Sequence, residues 1–183
     1  NVCSHEFNIG LNAVNKGKWC AFCSSKKLCN KINCLFCFNK SFASSNKAKY
    51  WSDKNIVKPR EVFLNSNTKY LFDCNICTHE FKTQLSNITN GRWCNFCSST
   101  QLCNDDCFIC FNKSFASSDK VKYWSEKNIV SPREVFKSSG KYYLFDCNIC
   151  THEFKIRLSH ITNGTWCNFC SSTQLCNDDC FIC

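Results

Sequence analysis

Apolar residues in this chain come in short clusters, and polar turns break them up at close intervals. Over residues 111–183 the pattern predicts a succession of small elements. Phe111 and Phe115 open the stretch. Ser117-Ser118-Asp119 offers an N-cap for a short helix carrying Val121, Tyr123 and Trp124. Ser131-Pro132-Arg133-Glu134 fits a capping box with Pro at the first helical position, opening one or two turns. Ser138-Ser139-Gly140 reads as a turn, and the Tyr- and Phe-rich residues 141–146 as a strand. Residues 152–156 read as the returning strand. Residues 158–163 fit one helical turn closed by Gly164, and residues 171–175 a further helical stretch.

This succession is used more than once. Residues 38–110 and 111–183 align without a gap at a period of 73, with 13 differences, none of them at a Cys or at the shared His. Lys58 stands where the second copy has Ser131, so a full capping box is not required. Residues 1–37 match the last part of the unit and are more divergent. They keep Cys3, His5, Phe7, Leu11, Gly17, Trp19, Cys20, Cys23, Cys29, Cys34 and Cys37, with one extra residue between Cys29 and Cys34. The position before Asn1 would correspond to Cys74. With no Met and a first residue inside a repeat, the chain reads as a piece of a longer protein. Three segments follow: 1–37, the C-terminal part of a truncated repeat; 38–110, a second repeat; and 111–183, a third.

The chemistry lies in the cysteines. The 183 residues include 20 Cys, a density that means either a disulfide framework in an oxidising compartment or metal sites in a reducing one. No secretory leader is visible, and no apolar run approaches the ~18 residues of a membrane span. Cys74-Asn75-Ile76-Cys77 and Cys94-Asn95-Phe96-Cys97 are two Cys-x2-Cys knuckles, and this pair spacing places two thiolates on one Zn2+ from a tight turn. A complete repeat has seven Cys and one shared His, eight ligands for two tetrahedral ions. The candidate ligands are Cys3, His5, Cys20, Cys23, Cys29, Cys34 and Cys37; Cys74, Cys77, His79, Cys94, Cys97, Cys103, Cys107 and Cys110; and Cys147, Cys150, His152, Cys167, Cys170, Cys176, Cys180 and Cys183. His160 is left over and reads as a surface residue, since the other copy has Asn87 there.

Two partitions fit. In one, Cys147, Cys150, Cys167 and Cys170 share an ion, and His152 joins Cys176, Cys180 and Cys183. The other exchanges Cys150 with His152. On a strand, residues 150 and 152 would point the same way and could serve either ion. Eight ligands for two ions leave no open position, so the zinc is structural, not catalytic. A knuckle on a hairpin followed by a knuckle opening a helix is the treble-clef layout. The expected fold is a small metal-stabilised α+β array of treble-clef or zinc-ribbon-like repeats, with short helices, β-hairpins and about two Zn2+ per complete repeat.

Metal changes the charge argument. The formal charge is +9, but it counts thiols as neutral, and zinc takes thiolates. Twenty thiolates around about six Zn2+ add a net charge of about −8, leaving the holo chain near +1. Only a local patch can then argue for a polyanion. Lys47, Lys49, Lys54, Lys120, Lys122 and Lys127 interleave with Tyr50, Trp51, Tyr123 and Trp124, which could neutralise phosphates and stack a base. The competing reading makes the aromatics core anchors and the lysines a solvated face.

The sequence resembles a family described as a probable zinc-ribbon or treble-clef domain, common in tandem copies in giant DNA viruses. The resemblance rests on Trp124, Asn128, Pro132, Val135, Ser139, Cys147, His152, Phe154, Gly164, Cys167 and Cys170, with the matching positions of the preceding copy. Leu102-Cys103, Cys107, Cys110-Phe111 and Lys113-Ser114-Phe115-Ala116-Ser117 extend it into the linker. It implies a ligand set of one Cys, the His and the final Cys-x2-Cys, which favours the exchanged partition. In close relatives a His often stands where this chain has Ser45 and Ser118; if that His is a ligand of the second ion, His152 must compensate for it or the second site is absent. Likeness to the zinc fingers that accompany homing and mismatch-repair endonucleases implies DNA binding. The expected function is a non-enzymatic nucleic-acid-binding array. The alternatives are a protein-interaction or virion-structural array, to which the Asn104-Asp105-Asp106 turn lends itself, and accessory fingers of a larger nuclease. Partners would be DNA, RNA or protein, with no membrane or small-molecule substrate. The setting would be intracellular and reducing: cytoplasm, nucleus or viral factory.

Overall fold

The computed structural model describes residues 3–176. It divides into two compact units, Asn1–Cys97 and Ser98–Cys183, and each contains a core of the same design.

In the first unit, β1 (Lys69–Asp73) pairs antiparallel with β2 (Glu80–Gln84), setting Phe72 opposite Phe81. Alternation buries one face of each strand, and both Phe side chains lie on it. Phe42, from a 3-10 turn at Phe42–Ser44, meets Phe72 edge-on at 5.5 Å. Trp51 closes over the same pair, and its indole N–H donates to the Val57 carbonyl at 3.0 Å. Such edge-to-face packing is worth about 0.5–1.5 kcal/mol per pair beyond the area buried. A helix directly after β2 drops Leu85 and Ile88 under the hairpin, at i and i+3 of one helical face; it spans Leu85–Thr89. Gly91, at φ +80°, ends it in the left-handed region that suits glycine. Two further helices precede the hairpin. They span Leu11–Asn15, with nothing buried, and Leu35–Lys40. In chain order these three are α1 (Leu11–Asn15), α2 (Leu35–Lys40) and α3 (Leu85–Thr89).

The second unit repeats this with α4 (Phe108–Lys113), β3 (Tyr142–Asp146), β4 (Glu153–Arg157) and α5 (Leu158–Thr162). Its core gathers Phe115, Val135, Phe145, Phe154, Ile156, Leu158 and Ile161 with three cysteines, and Cys170 packs against it.

Local sequence signals translate well, with three adjustments. The Ser118 hydroxyl caps as expected, accepting from Lys120 N–H at 3.3 Å, but the element it opens, Asp119–Tyr123, is 3-10. At Pro59–Glu61 and Pro132–Glu134 the Glu carboxylate takes the backbone N–H of Lys58 or Ser131, at 2.6 and 2.8 Å. This bond from the Glu is the part of the box that both copies share, which is why Lys58 serves as well as Ser131. The helix expected at 171–175 does not form. Ser172 is left-handed, at φ 56°, and the amides of Thr173 and Gln174 turn back to the Asn168 carbonyl. Helix starts instead at linker cysteines Cys34 and Cys107, the N-caps of α2 and α4. Among the described residues, no helix is long and apolar enough to cross a membrane.

Candidate metal centres

Each hairpin ends in a knuckle. The Cys74 amide donates to the His79 carbonyl at 2.9 Å and the Thr78 amide to the Cys74 carbonyl at 3.0 Å, folding the segment back on itself. Thr78 sits at φ 57°, as do Thr151 at 58° and Ser4 at 51°. A left-handed Thr is costly, about 1–3 kcal/mol, and here it reverses the direction of the two side chains beside it.

That reversal decides the ligand partition. Cys74, Cys77, Cys94 and Cys97 converge in one cluster, as do Cys147, Cys150, Cys167 and Cys170. The Cys77 and Cys94 sulfurs lie 3.4 Å apart and those of Cys74 and Cys97 3.6 Å apart; the second unit gives 3.5 and 3.6 Å. The exchanged partition favoured by the family resemblance is therefore not the one adopted. Cys150 and His152 do not share a strand face, because β4 begins only at Glu153 and Thr151 is left-handed between them. Ser45 and Ser118 are not ligands either: their hydroxyls accept the amides of Lys47 and Lys120 at 3.2 and 3.3 Å.

His5 goes to a different cluster, with Cys29, Cys34 and Cys37. Its Nε2 lies 3.3 Å from Cys34 Sγ and 3.5 Å from Cys37 Sγ. Cys3, Cys20 and Cys23 form a three-thiol group nearby. In the second unit Cys107 caps α4 through the Cys110 amide, just as Cys34 caps α2 through Cys37. Cys103 and Cys110 are buried there. Among the third-repeat candidates, Cys176 is half-buried, while Cys180 and Cys183 lie outside the described residues. His160 is exposed.

The donor sets fit zinc. None of the 18 described cysteines is in a disulfide, and the sulfur separations are far beyond the ~2.05 Å of an S–S bond. A tetrahedron with Zn–S near 2.3 Å has edges of about 3.8 Å between sulfurs and about 3.5 Å from sulfur to nitrogen, close to the spacings here. These tetrads mark Zn2+ sites.

The thiols are poised for a cation. Burial pushes Cys77 up, but hydrogen bonds from the His79 backbone and ring and from Cys94 and Cys97 outweigh it and bring it down to about 6. Burial and the hydrogen bond to Cys77 push Cys94 up to about 11, and Cys97 still higher. Cys29 likewise comes down to about 6, where burial is outweighed by bonds from His5, the Lys31 backbone, Cys34 and Cys37. Burial pushes Cys37 up to about 11. A first thiolate thus holds protons on its neighbours until a divalent ion displaces them.

Two supporting roles had no counterpart in the sequence reading. Each ligand-candidate His is stacked on the Phe inside the second knuckle: His5 on Phe22 at 4.2 Å, His79 on Phe96 at 4.2 Å and His152 on Phe169 at 4.5 Å. Arg60 and Arg133 donate to Cys29 and Cys103 sulfurs at 3.8 and 3.5 Å. Both features recur at equivalent positions, but near-identical copies leave nearly every position recurring.

The lysines separate into two groups. Lys47 Nζ lies over the Trp93 ring at 4.5 Å and near Tyr50 at 5.4 Å, with Lys49 over Tyr50 at 5.0 Å. Lys120 and Lys122 repeat this on Tyr123 and Trp166. Lys54 and Lys127 instead pair with Glu80 and Glu153 at 3.1 Å, so their charge is offset. Trp51 and Trp124 are held in the core, and the aromatic partner of the basic cluster is the knuckle Trp.

Residues 48–100 and 121–173 each match the family described as a probable treble clef zinc finger domain. The matched segments cover more than half of the chain and contain both four-cysteine clusters, but stop short of the linker cysteines. An uncharacterized protein of Acanthamoeba polyphaga mimivirus is 36% identical over 159 residues, 83% of this chain and 38% of the relative. The chain thus spans well under half the length of that relative.

Proposed function

Because this chain belongs to the probable treble clef zinc finger family, we propose that it is a zinc-stabilised tandem array that binds nucleic acid and has no catalytic role of its own. The zinc ions are structural in this reading: four ligands close each tetrahedron and leave no position for substrate. Each complete repeat carries seven Cys and one shared His, so each is assigned two ions. Full thiolate ligation requires a reducing setting.

The observation that carries the nucleic-acid reading is the repeated cluster of Lys47, Lys49, Tyr50 and Trp93, matched by Lys120, Lys122, Tyr123 and Trp166. Cations over aromatic rings give a surface that meets phosphates and offers a ring edge to a base. Among the described residues no helix is long enough to read a major groove as a finger with paired Cys and paired His does, so the expected binding is backbone-directed and tolerant of sequence. Fluorescence anisotropy on single- and double-stranded oligonucleotides across 50–200 mM salt tests it. Affinity should fall steeply with salt, and Lys47, Lys49, Lys120 and Lys122 changed together to Glu should abolish most of it and flatten the slope by about three. Absence of binding to either strand form would sink the reading.

A second reading has its own observation. Ile56 and Ile129 are fully exposed, at 103% and 102%, on loops held rigid by Asn55 and Asn128. Each Asn donates its amide to two backbone carbonyls and accepts a strand N–H. A rigidly displayed aliphatic side chain repeated along an array suits a protein partner. If oligonucleotides fail, this surface is the place to look.

A further inference from the structure

We infer that the zinc held by His5, Cys29, Cys34 and Cys37 is a joint between successive repeats, completed by Arg60 of the following repeat. This rests on zinc binding and is independent of the nucleic-acid reading.

The argument starts at α2. Its first turn is made by two ligands: Cys34 caps the helix and Cys37 lies one turn on, buried. Its last residue, Lys40, sends Nζ back to the carbonyls of Phe22 and Cys23 at 2.9 and 2.7 Å and to the Ser25 hydroxyl at 3.0 Å. Those groups terminate the second knuckle of the preceding copy. The next two residues, Ser41 and Phe42, are wholly buried in the following copy. There the Phe42 amide donates to the Val62 carbonyl at 2.9 Å, and the Leu64 amide to the Lys40 carbonyl at 3.0 Å. No Gly or Pro lies between Cys29 and Phe42, so no hinge residue interrupts the crossing.

Arg60 closes the joint from the other side. It sits in the Pro59–Glu61 turn of the following copy, and its Nη2 donates to Cys29 Sγ at 3.8 Å and to the Lys31 carbonyl at 3.2 Å. Its Nε and Nη1 are buried without a hydrogen-bond partner. A half-buried guanidinium with two buried, unpaired nitrogens favours a nearby negative charge. Three thiolates, a neutral imidazole and Zn2+ sum to −1, and the guanidinium balances that charge. Arg133 repeats the arrangement on Cys103 and the Asp105 carbonyl, at 3.5 and 2.9 Å, and its Nη1 is buried. The consequence is linkage: metal bound by one repeat stabilises the core of the next, and folding of the next repeat raises the affinity of the metal site behind it. Arg60 acts here as a positioning residue for Cys29.

Two measurements on the full, zinc-loaded chain test this. In the first, a competing chelator is titrated while NMR follows the His5 ring signals, for wild type, Arg60→Met and Arg60→Lys. The joint predicts release of the His5 metal at about tenfold less chelator in Arg60→Met, with most of the loss restored by Arg60→Lys, as expected for an outer partner of a metal ligand. Unchanged release in Arg60→Met would overturn it, as would a Lys variant no better than Met. The second covers the case that Arg60→Met does not fold. Hydrogen exchange at the Phe42 and Leu64 amides is compared between wild type and Cys34→Ser. A tenfold or greater loss of protection supports the joint, and equal protection overturns it.

Discussion

The Cys74, Cys77, Cys94 and Cys97 cluster and the His5, Cys29, Cys34 and Cys37 cluster are built from different kinds of chain. The first takes its ligands from two knuckles that flank one hairpin, and Cys74, Cys77 and Cys94 are buried, as are Phe72 and Phe81 of the hairpin. The second takes an imidazole from beside a knuckle and three thiols from a connecting segment, and its stabilising neighbour is a cation from the next copy. Four thiolates on Zn2+ leave −2 within an apolar core, whereas three leave −1 beside a guanidinium. One centre supports a domain; the other supports a connection. The family match follows the same line, since it contains the first kind of cluster and ends before the linker cysteines.

The largest effect should come from removing both kinds of metal. Structural zinc contributes on the order of 10–16 kcal/mol to small domains, and each aromatic core here is modest. Prolonged chelation under reducing conditions should abolish the far-UV dichroism and shift tryptophan emission to that of a solvated indole. Persistence of either signal would show that the aromatic cores suffice alone.

Next in size is a contrast between the centres. Cys77→Ser should unfold the β1–β2 core, seen as loss of exchange protection at the Phe81 amide. Cys34→Ser should cost that hairpin less protection than Cys77→Ser does, and act chiefly on α2 and on the Phe42 and Leu64 amides. Equal damage by the two substitutions would erase the distinction between domain zinc and joint zinc.

The acid sensitivity of the domain zinc follows from its thiols. Cys94 and Cys97 are raised, Cys94 to about 11, chiefly by burial, so zinc must displace protons from both near neutral pH. Uptake then releases protons, affinity rises with pH, and metal is lost as pH falls. At least two protons are released, so affinity should change by at least about a hundredfold per pH unit around pH 7. Zinc competition at pH 6, 7 and 8 reads it directly; a slope near zero would mean that the thiols are already ionised.

The smallest effect concerns the bridge between the centres. Phe22 belongs to a knuckle of one cluster, yet its ring stacks on the His5 imidazole of the other at 4.2 Å. Phe22→Leu keeps the volume roughly and removes the stack. It should weaken metal retention at His5 by about tenfold or less, read from the His5 ring signals, with the core clusters unaffected.

Much of this was legible in the chain. The 73-residue period, the knuckles and the ligand inventory are matters of spacing, and the hairpins follow from local patterns that residues 141–146 and 152–156 display openly. The helix expected at 171–175 was misplaced because two residues after the second knuckle the backbone turns left-handed, at Ser25, Ser99 and Ser172, a requirement that Ser does not announce. The basic cluster was half legible: Lys47, Lys49 and Tyr50 are neighbours in sequence, but Trp93 reaches them only through the fold.

The sequence by itself determined which atoms can hold metal and how many ions they can hold, because ligand chemistry resides in residue type and a knuckle closes over four residues. Tertiary structure decided which ligands share an ion. A single left-handed residue sends Cys77 into the core and turns His79 away from it, and no pattern of residue types encodes that dihedral. Tertiary structure also brought Arg60 to Cys29 across 31 residues, since a buried charge finds its partner only when separate segments exclude water together.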